Sequence, residues 1–236
     1  PEYSARQGSS EVLGKNAQYL IRAGDKYLDY KWRIVPATAY LAYERTGERN
    51  IMQAPLSANR SALNALMLAE LAEGKGRFVD QLIDGLWHLS NMPTWVLSAH
   101  LHRQKSKRSL PDPREQLIDL GSGGLAAQVA VAWHFFHETF DKVDPVISYV
   151  IQEAMKKQIL DPYLNTAEYR PNWWLGFELK ESQVVNNWNP WCNADVILCF
   201  LLMEKDPQRL EHALRQSARS VDKFWDYVKS DGACEE

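Results

Sequence analysis

The chain has few cysteines. Its 236 residues include only three, which are too few for a disulfide framework. Cys192 and Cys199 lie seven residues apart in a helical pattern, and this spacing is not typical of a metal site. We therefore expect buried thiols, and cysteine usage does not indicate a cellular compartment.

The sequence also lacks a long hydrophobic run. No apolar stretch approaches the roughly 18 residues that a membrane-spanning helix needs, and no charged start followed by an apolar centre marks a signal peptide. We expect no membrane span. Because the chain opens with Pro1 rather than methionine, we expect a processed or trimmed product from which an export signal could have been removed.

Strong charge of either sign is absent as well. The chain has 27 Lys and Arg against 30 Asp and Glu, a net charge of −3, and no broad basic face that could neutralise many phosphates. Nucleic acid is therefore not an expected partner. The one basic run contains Arg103, Lys105, Lys107 and Arg108. It is expected to be a solvated loop, with contact to an anionic substrate as the alternative.

What the sequence does contain is helical periodicity. Apolar residues recur three and four positions apart along most of the chain. Glycines or Asp-Pro pairs punctuate the pattern and predict αα-hairpins within residues 61–89, 125–160 and 191–228. An earlier helix near residues 28–45 is expected to be kinked at Pro36, and the run Gly121–Gly124 is expected to be a flexible lead into a helix.

Stacked αα-hairpins without a convincing strand predict an all-α fold. Because no motif repeats at a fixed period, an incomplete α/α toroid is favoured over a solenoid. We expect residues 1–236 to form a single helical domain. The irregular stretches 90–120 and 162–190 are too long for hairpin turns, and such loops usually carry function.

Tryptophan and asparagine are concentrated in residues 171–193. The indole ring suits stacking on a sugar, and the amide can donate to and accept from hydroxyl and carboxylate groups. This composition indicates a glycan site; hydrophobic anchors and turn formers are the alternative. The residues in question are Asn172, Trp173, Trp174, Asn186, Asn187, Trp188, Asn189, Trp191 and Asn193.

Three segments resemble the heparinase II/III-like polysaccharide lyases in order and spacing: residues 186–193 (NNWNPWCN), 94–100 (TWVLSAH) and 231–236 (DGACEE). The resemblance implies an N-terminal α/α toroid followed by a β-sandwich domain, and cleavage of uronic-acid-containing glycans by β-elimination. It implies that Asn187 neutralises the uronate carboxylate with support from Asn186, and that His100 assists in proton transfer. A tyrosine expected shortly after the last segment has no counterpart before Glu236, so we expect this chain alone to be inactive or very weak.

The remaining expectations follow from the same cluster and resemblance. The residues expected to contact substrate, in addition to Asn186, are Trp95, Trp173, Trp174, Trp188, Trp191, Asn193, Glu235 and Glu236. We expect an acidic polysaccharide or oligosaccharide as partner, no cofactor, no metal ligands, and a periplasmic or secreted location.

Two other functions stay open. One is an α/α-toroid glycoside hydrolase, for which Asp161 and Glu168 are a better carboxylate pair than the adjacent Glu235 and Glu236. The other is a helical carbohydrate-binding module without catalysis. His134 and His137 lack the spacing of a zinc protease and are expected to be structural.

Overall fold

The structure is a computed structural model that describes residues 14–165, 172–180 and 184–233. Every regular element in these ranges is helical, which confirms the predicted all-α fold. Backbone contacts divide the chain into two compact units: Pro1–Met92 with Ala132–Ala154, and Pro93–Val131 with Met155–Glu236. The toroidal arrangement and the single domain stay predictions.

The first unit is organised around one long helix. It contains α1 (Lys15–Asp25), α2 (Ala37–Thr46), α3 (Asn50–Glu73), α4 (Val79–Ser90), the second half of α5 (Leu120–Val143) and most of α6 (Pro145–Met155). The helix α3 packs against α1, α2 and α4. Its buried side chains include Met52, Leu56, Leu63 and Leu66. The contact of α3 with α4 confirms the first predicted hairpin.

The segment before α2 corrects one expectation. No helix runs through Pro36, because α2 begins at Ala37 and Pro36 is its extended N-cap residue. The buried Asn59 accepts hydrogen bonds from the Tyr30 hydroxyl (3.0 Å) and the Arg33 backbone N–H (2.9 Å), and donates to the Arg33 carbonyl (2.8 Å). These contacts hold the preceding segment outside a helix, and the proline ring itself disfavours helical geometry in the residue before it.

The second unit holds shorter and less regular elements. It contains 3₁₀ helices at Ser98–Arg103 and Trp173–Leu175, the first half of α5, a π-helical turn at Lys156–Leu160, α7 (Asp161–Leu164), α8 (Trp188–Met203) and α9 (Pro207–Trp225). The helices α8 and α9 pack against each other, which confirms the last predicted hairpin. Asp206 caps α9 by accepting from the Gln208 N–H at 2.8 Å, so the Asp-Pro helix start is also confirmed.

The glycine run 121–124 differs from the expected flexible lead, because it forms the first turn of α5. A Cβ atom on Gly121 would lie 2.6 Å from Cγ of Leu97, and one on Gly123 would lie 3.2 Å from a carboxylate oxygen of Asp195. Glycine is therefore needed here for close approach of two neighbouring segments, within a regular helix.

The two cysteines with described positions are Cys192 and Cys199, and both are buried thiols. Burial raises the pKa of each thiol above its ordinary value. No helix in the described part of the chain combines the length and the hydrophobicity needed to cross a bilayer.

Candidate functional site

A cleft of about 420 Å³ opens in the second unit, between residues 96–119 on one side and residues 172–178 with Trp188 on the other. It combines an imidazole, two cationic side chains, two carboxylates, an amide, two indoles and a small apolar wall. The lining residues are His100, Arg103, Lys107, Asp119, Glu178, Asn172, Trp173, Trp188, Val96, Leu117 and Ile118. Such a mixture of aromatic surface and convergent polar groups is typical of a ligand site.

His100 and Asp119 form a hydrogen-bonded dyad in this cleft. Nδ1 of His100 lies 2.6 Å from Oδ2 of Asp119, and the two side chains are 17% and 2% exposed. Because a carboxylate only accepts hydrogen bonds, Nδ1 carries a proton, and Nε2 of the neutral ring is the nitrogen that can take one up. The dyad therefore has the arrangement of an oriented general base.

Asp119 is held from several directions. Its Oδ2 also accepts from the Leu97 N–H (3.0 Å), and its Oδ1 accepts from the Ser122 N–H (2.7 Å). In return, the Ser122 hydroxyl accepts from the Asp119 N–H at 2.9 Å. This reciprocal pair is a capping box at the start of α5, where the helix dipole also favours a negative charge. One carboxylate thus caps a helix and orients an imidazole.

Two tryptophans form the aromatic side of the cleft. The Trp188 ring meets the His100 ring edge-on at 4.7 Å, and the Trp173 and Trp188 rings lie 5.4 Å apart at 45°. Nε1 of Trp173 is buried and has no hydrogen-bond partner among the described residues. Indole surfaces that line a cleft can stack on a sugar ring.

Arg103 and Lys107 supply positive charge. The Arg103 guanidinium lies 4.7 Å from the centre of a Trp173 ring, a cation–π distance. Partial burial lowers the pKa of Arg103, but a guanidinium stays protonated in proteins. Lys107 has φ 59°, and it is the only non-glycine residue with positive φ in the described ranges. Strained backbone of this kind is often found at functional sites.

The side chain of Gln104, which is 1% exposed, forms hydrogen bonds with the backbone of the loop that carries Lys107. The Gln104 amide donates to the carbonyls of Arg108 and Leu110, both at 3.1 Å, and accepts from the Asp112 N–H at 2.7 Å. The Lys107 N–H also donates to the Gln104 carbonyl at 3.0 Å. These four bonds fix the loop around one buried side chain.

The opposite side of the cleft is fastened to Ile118. Asn172 accepts from the Ile118 N–H (3.2 Å), and Nε1 of Trp174 donates to the Ile118 carbonyl (2.9 Å). Beneath this contact, Asn189 donates to the Trp174 carbonyl at 2.8 Å and to the Ser220 hydroxyl at 2.9 Å. A buried polar network therefore positions the segment that presents Trp173 and Asn172.

Four of the candidate residues from the sequence meet in the cleft, namely His100, Asn172, Trp173 and Trp188. Asn186 lies at the start of α8, where its Oδ1 accepts from the Trp188 N–H at 3.1 Å. Asn187 is the half-buried N-cap residue of α8 and does not line the cleft. Its assigned role stays a prediction.

Three other predicted contacts need correction. Trp95 and Trp174 are fully buried and Asn193 is 1% exposed, so a sugar cannot stack on or bond to them in this structure. Asn193 instead accepts from the Tyr163 hydroxyl at 2.8 Å and donates to the Ser220 hydroxyl at 2.9 Å. The two tryptophan rings fill space in the protein core. The Asn193 amide can be buried there because it has hydrogen-bond partners.

The remaining candidates lie elsewhere. Trp191 is 62% exposed and does not line the cleft, while Glu235, Glu236 and Glu168 lie outside the described residues. Asp161 accepts from Arg209 at 2.7 Å, so its carboxylate is engaged in an ion pair. Within the described ranges, no group of three or more His, Cys, Asp or Glu is arranged to hold a metal ion.

Sequence reasoning missed Asp119 and Glu178 as cleft residues. Asp119 carried a usable signal, because an Asp followed three positions later by Ser can cap a helix. The basic run contributes Arg103 and Lys107 to the lining of the cleft. Contact of this run with an anion stays a prediction.

No protein-family model and no curated protein matches the chain. The geometry of the cleft therefore carries the functional argument.

Proposed function

We propose that the cleft binds an acidic saccharide, and that the chain is the helical, substrate-binding part of a polysaccharide lyase that cleaves uronic-acid-containing glycans by β-elimination. The observation that carries the proposal is the His100–Asp119 dyad, which shares one cleft with Arg103, Lys107 and two tryptophans.

Recognition follows from the lining. Trp173 and Trp188 offer apolar surface to the C–H face of a sugar ring, while Arg103 and Lys107 offer positive charge to its carboxylate. Arg103 is already held against the Trp173 ring, so little side-chain freedom is lost when the ligand binds.

The chemistry follows from the dyad. In β-elimination, Nε2 of His100 takes the proton from C5 of the uronate, and the C–H electron pair forms the C4–C5 double bond. The C4–O pair leaves with the glycosidic oxygen, which takes a proton from the imidazolium or from water. Asp119 stabilises the imidazolium, and Arg103 and Lys107 stabilise the charge that develops on the carboxylate.

Binding is tested first, by calorimetry with a glucuronate-containing disaccharide and with a neutral disaccharide of the same linkage. The acidic ligand is expected to bind more tightly. The variants R103A and K107A are expected to weaken its binding about 10- to 100-fold, because a hydrogen bond to a charged group contributes roughly 1.5–3 kcal/mol. The control is R45A, which removes an exposed charge from α2 in the other unit. Equal affinity for the two disaccharides contradicts the proposal.

Proton abstraction is tested separately from bond cleavage. In D₂O, wild-type protein is expected to exchange the C5 hydrogen of the bound uronate for deuterium, as read by mass spectrometry, even where cleavage is slow. H100A is expected to lose the exchange and keep binding. The control is H102A, because His102 is exposed and its Nδ1 bonds to the Ala99 carbonyl. Exchange that survives in H100A argues against His100 as the base.

Products separate the alternatives. An unsaturated, ultraviolet-absorbing uronate supports the lyase, and new reducing ends without that absorbance support a hydrolase. Binding without exchange or products supports a non-catalytic carbohydrate-binding module.

A further inference from the structure

A second groove lies in the same unit, on the exposed side of α9. It encloses about 580 Å³ and is lined by Phe177, His212, Arg215, Gln216, Ala218 and Arg219. Phe177 is 41% exposed, and the Arg219 guanidinium lies 5.4 Å from the centre of its ring. The groove thus pairs an exposed aromatic ring with basic side chains.

The basic groups of this groove share one helical face. His212, Arg215 and Arg219 are spaced three and four residues apart, which places them in a row along α9. Lys223 continues the row by one further turn. From His212 to Lys223 the row extends about 16 Å, at 1.5 Å per residue. Such a length exceeds what a single carboxylate needs and fits an extended anionic ligand.

Little of this positive charge is neutralised within the described residues. Arg215 pairs with Glu211 at 2.8 Å, but both side chains are largely exposed, at 76% and 61%. Exposed pairs of this kind contribute little stability and exchange partners readily. An anionic ligand can therefore replace Glu211 at small cost.

The groove and the cleft meet at a single loop. Phe177 lines the groove and the next residue, Glu178, lines the cleft. The loop packs tightly on Val185 and contacts α9, because a Cβ atom on Gly176 (φ +78°) would lie 2.7 Å from Val185 and 3.4 Å from Lys223. This loop therefore borders both the cleft and the groove beside α9.

We propose that this groove is a second subsite for the same ligand, so that the substrate is an anionic saccharide chain several units long. The cleft holds the reacting uronate, Phe177 stacks on a more distant sugar, and Arg215 and Arg219 bind further carboxylates. This inference rests on the proposed function of the cleft and adds that tight binding requires a saccharide several units long.

The test compares a glucuronate-containing disaccharide with the octasaccharide of the same repeat, by calorimetry on the whole chain. Wild-type protein is expected to bind the octasaccharide more tightly. The double variant R215A/R219A is expected to lose between about threefold and tenfold in octasaccharide affinity, the scale of two exposed charge contacts, and to bind the disaccharide as wild type does. The matched control R45A/R49A removes the same charge from exposed positions in the other unit.

The outcomes distinguish the two proposals. Unchanged octasaccharide affinity in R215A/R219A, an equal loss for both ligands, or failure of wild-type protein to bind the octasaccharide overturns the second subsite. If R103A weakens both ligands while R215A/R219A weakens neither, the cleft stands and the groove falls. If the groove variants behave as expected but no C5 exchange occurs, the subsite stands and the lyase chemistry falls.

Discussion

The substitution Asp119→Asn tests both roles of the Asp119 carboxylate, which are to hold Leu97 and the start of α5 and to orient His100. The carboxylate accepts from Leu97, His100 and Ser122, whereas an amide offers one oxygen and one NH₂ group. If the amide turns its NH₂ group toward His100, this group can donate a hydrogen bond to Nδ1 only when the imidazole switches tautomer and places its proton on Nε2. The Leu97 N–H then loses its acceptor, and the ring loses the nitrogen that takes up a proton.

The magnitude follows from these contacts. One unsatisfied backbone N–H beside a residue that is 2% exposed costs about 1–3 kcal/mol. If the amide rotates instead, the Ser122 N–H is left without its acceptor at a similar cost. The cap itself contributes little to the difference, because Asn and Asp are about equally good N-cap residues. Loss of the oriented base is expected to slow C5 exchange on the order of 100-fold or more.

The assay pairs urea unfolding with the deuterium exchange measurement. The matched control is D84N, because Asp84 is exposed on α4 and the substitution makes the same change in charge. A D119N protein that unfolds within about 0.5 kcal/mol of wild type, the usual range for surface changes, refutes the role in holding Leu97 and α5. Full exchange activity in D119N refutes a requirement for the carboxylate at position 119.

Three further predictions concern stability. S220A removes the hydroxyl that accepts from Asn189 and donates to the Leu175 carbonyl, and is expected to lower the free energy of unfolding by about 1–3 kcal/mol; an unchanged urea midpoint contradicts this. K107G relieves the strain of the positive φ of 59° and is expected to raise the free energy of unfolding by about 0.5–1 kcal/mol. The same variant is expected to bind uronate more weakly. A lower thermal midpoint would argue against strain at this position. Burial raises the pKa of Glu204. Hydrogen bonds from the Arg209 side chain and from backbone N–H groups lower this pKa by a larger amount in total, so the net shift is downward. Its stabilising effect is therefore present above the unfolded-state pKa of about 4.3 and lost as pH falls through the folded-state pKa, so the gap in unfolding free energy between wild type and E204Q should shrink on acidification.

The helices could be predicted because their signal is local. Apolar spacing of three and four residues identifies a helix wherever the partner face lies, and the Asp206 cap needs only its own backbone neighbours. The errors at Pro36 and at the glycine run have a common cause. In both places the conformation depends on side chains distant in sequence, namely Asn59 for the first and Leu97 for the second.

The site was predictable only in part, for a related reason. Composition identified a group of tryptophans, but it cannot say which ring faces a cavity. Trp173 and Trp174 are adjacent in one 3₁₀ turn, yet the first lines the cleft and the second is fully buried. The difference comes from the bond between Trp174 and the Ile118 carbonyl, 56 residues earlier in the chain. Likewise, the pairing of His100 with Asp119 depends on how α5 meets the preceding segment.

The double duty of Asp119 has a consequence for engineering. In a library selected for altered catalysis, substitutions at position 119 will be removed as poorly expressed proteins before their effect on the imidazole can be seen. Among the surviving variants, residue 119 will then appear to be required for folding alone. A stabilised background, such as one carrying improved caps elsewhere, would be needed before chemistry at this position can be explored by selection.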